Sequence, residues 1–92
     1  MNLLEITTEL HDVVRKHENS IQEALEVTRH KVLSAKVEVS ADETSEENLE
    51  ALSRAENELY AVRRLYDLKE TINETVFDIQ SDVIEQHLGG EL

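Results

Sequence analysis

Apolar residues open the chain at Leu3, Ile6, Leu10, Val13 and Val14 and continue through Ile21, Leu25, Val32 and Ala35. Steps of three and four place them on one helical face. Asn2 offers a cap, with Glu5 three residues on in the spacing of a capping box. The pattern predicts a helix over 3–37. Its apolar string slips by one position around His17, which argues against an unbroken heptad seam. Residues 38–44 break the pattern and stack three helix-start signals nearby: Ser40 with Glu43, Thr44 with Glu47, and Ser45 as a plain cap. Val37-Glu38-Val39 alternates like a strand but has no partner strand, so the segment reads as an acidic turn. A second helix over 45–88 then carries Leu49, Leu52, Ala55, Leu59, Val62, Leu65, Ile72, Val76, Ile79 and Val83. Gly89 and Gly90 end it, leaving a short tail over 89–92.

Two long helices joined by a short turn make antiparallel neighbours. The expected fold is all-α, a single helical-hairpin domain over 1–92. Folding about residue 41 gives opposed positions whose numbers sum to roughly 82, since adjacent antiparallel helices pair residue for residue. Leu3 then faces Ile79, Leu10 faces Ile72, and Ile21 faces Ala61. Arg15 lies near Asp67 and Glu18 near Arg64. Under this rule nothing on the first helix covers the end of the second. Phe77, Val83, Ile84 and Leu88 are apolar there, and Tyr60, Tyr66 and Leu68 widen the stripe. A second copy or a partner helix covering these residues completes the layer that two helices leave open. The expectation is a homo-oligomer, dimer or higher, completed into a helical bundle. Phe77, Val83, Ile84, Leu88, Tyr60 and Tyr66 would form its oligomer or partner interface.

Composition narrows the classes. Leu, Ile, Val and Phe make up 27 of 92 residues, enough to fold but little for a lone core of this length. Without cysteine there is no disulfide, thiol nucleophile or zinc-thiolate site. No apolar run is long enough for a membrane span, and no signal-peptide pattern opens the chain, so a cytoplasmic setting, bacterial or in a phage host, is expected. The net charge of −12 argues against direct contact with nucleic acid phosphates or anionic lipid.

That charge is uneven. Residues 38–50 carry six acids and no Lys or Arg, and residues 76–92 carry four acids and none, while the stretches between are close to neutral. The carboxylates Glu43, Glu46, Glu47 and Glu50 form an acidic patch at the turn. It suits the positive end of a helix dipole, and alternatively a basic partner.

Chemistry is sparse. Among the four histidines no Glu-x-x-His spacing occurs; Glu26 and His30 stand four apart on one helix turn, but two ligands make a weak site, and His11 and His17 do not share a turn. There is no glycine-rich phosphate loop, and a helical rod offers no evident cleft for a nucleophile and base. Asn73-Glu74-Thr75 matches a glycosylation sequon, which without a secretion signal carries no weight. No enzyme, metal or cofactor is expected.

The stretch Glu23-Ala-Leu-Glu-Val-Thr-Arg-His-Lys-Val-Leu-Ser-Ala-Lys36 resembles a helix of LemA-type proteins. Segments at Ala55–Leu59, Tyr66–Lys69 and Phe77–Gln80 echo that family in the same order, so the resemblance covers about half the chain. The family's membrane-proximal segment is missing and the last matched blocks lie closer together than in the family. The resemblance implies a helical scaffold. The function expected from the residues is a protein–protein interaction module, a self-assembling scaffold, adaptor or small chaperone, acting through its apolar stripe. The alternative is an acidic inhibitor that imitates nucleic acid and blocks a basic groove.

Overall fold

The computed structural model is an all-α hairpin of two packed helices, α1 (Leu3–Ala41) and α2 (Glu46–Gly90). It describes residues 2–90, with side chains over 2–86. At the start of α1 the Glu5 N–H donates to Asn2 Oδ1 at 2.9 Å, and Asn2 Nδ2 reaches Glu5 Oε1 at 3.4 Å. The first bond is the cap that the spacing predicts, while the second joins the two side chains and does not return to the Asn2 backbone N–H as a full capping box would.

The turn differs from expectation. α1 runs to Ala41, four residues past the expected end, because Val39 points inward and is half-buried. Helical period, not strand alternation, therefore governs Val37-Glu38-Val39. The turn proper is confined to residues 42–45. There the Asp42 carboxylate accepts from the Thr44 N–H at 3.2 Å and from its hydroxyl at 2.9 Å. Of the three start signals Ser45 is the cap, its Oγ accepting from the Asn48 N–H at 3.2 Å. Asn48 Nδ2 also donates to the Glu38 carbonyl at 3.2 Å, which already accepts from the Asp42 N–H at 3.1 Å, and so ties the start of α2 to the end of α1. Among the described residues none takes a positive φ, so the turn needs no glycine. Replacing Ser45 with alanine is expected to cost about 1 kcal/mol in urea unfolding, the usual value of a serine cap. At the other end α2 continues to Gly90 instead of stopping at 88. A glycine costs a helix only about 1 kcal/mol, so the pair does not by itself stop it.

The hairpin packs as two compact units. The turn unit is Ser20–Tyr66. Leu25, Val32 and Ala55 are buried in it, with Ile21, Leu52, Leu59 and Val62 half-buried around them. Thr28 is tolerated in this seam because its hydroxyl donates to the Ala24 carbonyl at 2.8 Å. Lys31 Nζ meets Glu58 at 3.2 Å across the helices, an exposed pair worth under ~1 kcal/mol.

The terminal unit joins α1 up to Asn19 with α2 from Asp67 onward. Its seam is markedly more polar. Val14 and Val76 are buried beside Thr7 and Lys69, with Asn73 and Gln80 half-buried. The Thr7 hydroxyl donates to the Leu3 carbonyl at 2.8 Å and accepts from Gln80 Nε2 at 3.2 Å. The Lys69 ammonium lies 3.2 Å from Glu70 and 3.9 Å from Glu18. Asn73 Oδ1 is buried without a hydrogen-bond partner among the described residues. Such a polar seam residue sacrifices stability and specifies register.

The register itself departs from the expected rule. Glu38 pairs with Asn48, Lys31 with Glu58, Glu18 with Lys69 and Thr7 with Gln80, so opposed numbers sum to 86–89. The centre of folding is the 42–45 turn, not residue 41, which moves each partner by more than a helical turn. Glu18 accordingly meets Lys69 instead of Arg64, and no ion pair joins Arg15 to Asp67 among the described residues. Arg64 instead lies over the Tyr60 ring, 5.8 Å from its centroid. In the terminal unit Ile84 stands level with Leu3, so the overhang of α2 is shorter than the expected pairing made it.

Candidate functional site

Each helix carries two heptad strings side by side. On α1 the inward string repeats every seven residues through Thr7, Val14, Ile21, Thr28 and Ala35, all buried or half-buried. Leu25, Val32 and Val39 join it at the alternate positions. This seam does not slip at His17. What changes there is which string is more apolar. In the terminal unit the stronger string lies one residue over, at Leu3, Ile6, Leu10 and Val13, and these remain 40–57% exposed while Thr7 is 1% exposed. Burial goes to the positions that the opposing helix reaches, not to the most hydrophobic ones.

The same holds on α2. Lys69, Asn73, Val76, Gln80 and Val83 form the seam of the terminal unit, all buried or half-buried. Leu68, Ile72 and Ile79 each immediately precede a seam residue. On α1 Ile6 and Val13 immediately precede the seam residues Thr7 and Val14, and Leu10 lies between them on the same side. Because the helices run in opposite directions, positions preceding the seam on each turn to the same side of the pair. Leu68 is 54% exposed, and Ile72 and Ile79 are half-buried. The terminal unit thus presents one continuous apolar side built from both helices.

The residues singled out from sequence fall in both units. Phe77 is 69% exposed and Ile84 also exposed, seven apart on the opposite side of α2, each just after a seam residue. Val83 points into the seam and is half-buried. Tyr60 and half-buried Tyr66 belong to the turn unit, where Tyr60 is engaged by Arg64. Leu88 lies outside the residues whose side chains are described. Ile6, Leu10 and Val13 were legible only as core. The signal that marked them otherwise was the one-residue slip of the apolar string.

The acidic residues Glu43, Glu46, Glu47 and Glu50 are all exposed. Glu46 and Glu47 occupy the first turn of α2, where the helix dipole favours them. His11, His17 and His30 are exposed, and among the described residues no three His, Cys, Asp or Glu side chains gather as a metal site. A groove of the turn unit lined by Lys31, Ala35, Arg54 and Glu58 is shallow and open to solvent. No described helix is long and apolar enough to cross a membrane. No protein-family model, curated protein or solved structure matches the chain.

Proposed function

We propose that the chain is a non-enzymatic interaction module that binds another helical surface through its exposed apolar side. The observation that carries this is the mismatch in the terminal unit. A threonine occupies the buried seam while Leu3, Ile6, Leu10 and Val13, the most apolar string of α1, face solvent. Large exposed apolar groups in a contiguous patch mark an interaction surface on a soluble chain. The scaffold implied by the LemA-type resemblance fits the same role. Self-association remains one form of it. Its original support, an uncovered end of α2, is reduced by the observed register, whereas the apolar side is not.

The acidic inhibitor gains no comparable support, because Glu46 and Glu47 of its patch are accounted for by the first turn of α2. The two readings separate by capture from the native host on three baits: the wild type, Ile6→Asp with Leu68→Asp, and the four glutamates changed to Gln. A partner kept on the Gln bait and lost on the Asp bait is the expected result. Loss on the Gln bait alone, with the Asp bait unaffected, would overturn the module in favour of the inhibitor.

A further inference from the structure

Both helices of the terminal unit are apolar over more width than one neighbour covers. On α1 the string Leu3, Ile6, Leu10 and Val13 stands beside the Thr7 and Val14 seam and is 40–57% exposed. On α2 Leu68, Ile72 and Ile79 stand beside the Lys69, Asn73 and Val76 seam. A helix with two adjacent apolar strings is one that packs against two neighbours, as in a four-helix bundle. Within this unit Thr7 stands opposite Gln80 and Glu18 opposite Lys69. That pairing sets Ile79 level with residue 8, between Ile6 and Leu10, and Ile72 level with residue 15, just past Val13. The second strings of the two helices therefore interleave into one layer, which is half of such a bundle.

Charge is turned away from that layer. Glu5 and Asp12 stand two positions before Thr7 and Val14, which puts them across α1 from Leu3 and Leu10. Glu70 and Glu74 each follow a seam residue on α2 and share the side of Phe77 and Ile84. Asp78 and Glu85 lie on the face of α2 directly away from the seam. Only Glu9, Lys16 and Asp82 border the layer, at its outer edges. A partner recognised by charge would find little to read there. A second copy finds a layer of its own width and spacing, and meeting it buries no carboxylate against its own image. The exposed parts of the apolar side chains come to roughly 500 Å² per copy, so a dimer would bury about 1,000 Å², the lower bound for a specific interface.

Resting on the module reading above, we propose that the apolar side of the terminal unit is the face on which two copies of the chain meet, their terminal units forming a four-helix bundle. The contact is isologous, so it closes at two chains. It supplies the apolar core that the polar Thr7, Lys69, Asn73 and Gln80 seam does not provide. An interface of this size holds with a Kd on the order of 10 μM, leaving the chain monomeric when dilute.

The test is sedimentation equilibrium on the full chain from about 1 to 200 μM, a span that brackets this affinity. Monomer passing to dimer, with no larger species, is expected. Leu10→Asp with Val13→Asp should weaken the dimer about tenfold or more, with helix content kept by circular dichroism. Leu10→Gln with Val13→Thr adds no charge and should weaken it in the same direction. Phe77→Asp with Ile84→Asp adds the same two charges on the opposite side and should leave the dimer in place. Raising salt from about 0.05 to 0.5 M should not weaken it, because salt screens the repulsion between two chains of net charge −12. A dimer lost on the Phe77 and Ile84 changes and kept on the Leu10 and Val13 changes would overturn this face, as would steep weakening by salt. A wild type monomeric throughout would overturn the second copy as occupant. In that case a partner captured by the wild-type bait and lost on the Asp bait would keep the module, and capture of nothing would overturn both.

Discussion

Replacing Leu25 with alanine is expected to cost about 2–4 kcal/mol and to lower the urea midpoint more than any other single truncation in the turn unit. Leu25 is its best-buried large side chain, at 4% exposed, and few residues share its burial. The buried hydrophobics across the described chain are Val14, Leu25, Val32, Ala55 and Val76, and only one of these is larger than valine. A chain of this length has about 5–14 kcal/mol of stability in total. Removing three carbons from its largest buried side chain therefore takes a substantial fraction. Two helices can close part of the resulting space by moving together, which holds the cost below the upper end seen in larger cores. Leu33→Ala is the control. Leu33 is 61% exposed, and its truncation should change stability by less than about 0.5 kcal/mol. Equal losses at the two sites would mean that the seam runs elsewhere.

The legible part of the fold was what helical period and capping chemistry dictate. The helices, the Asn2 cap and the single reversal follow from the spacing of apolar residues and from Asn2–Glu5. The turn was placed too early because three cap signals overlap within six residues, and only the packing of Val39 shows which one ends α1. Register followed the turn, so every paired residue moved with it. The harder failure was deciding which apolar residues are buried. Periodicity reports a helix face, but its angular width here exceeds what one neighbour covers. Leu3, Ile6, Leu10 and Val13 then compete with Thr7 and Val14 for the same contact. Hydrophobicity favours the first group and helix geometry the second. Thr7 is acceptable inside because its hydroxyl bonds the Leu3 carbonyl and Gln80, so its polarity is satisfied there. A sequence pattern contains no signal of that kind. The candidate surface was illegible for the same reason, being made of residues that look like core.

Val13 and Val14 give the sharpest separation of surface from seam, since they are the same residue at adjacent positions. Val14 is 8% exposed and belongs to the seam of the terminal unit, whereas Val13 is 57% exposed on its apolar side. An aspartate at position 14 would place a carboxylate among Val76 and the half-buried seam residues. There it loses hydration, and the Lys69 ammonium of the same seam already serves Glu70 and Glu18. An unpaired buried charge costs several kcal/mol, comparable to the whole stability of the terminal unit. Val14→Asp should therefore melt that unit, seen as a loss of a large part of the helical signal and as rapid amide exchange through residues 3–19 and 67–86. Val13→Asp adds the same charge one position away, in water. It should leave helix content and exchange rates near those of the wild type, with a stability change within about 0.5–1 kcal/mol from added like-charge repulsion. Unfolding by Val13→Asp with tolerance of Val14→Asp would reverse the assignment of seam and side, and with it the exposed apolar side on which the interaction module rests.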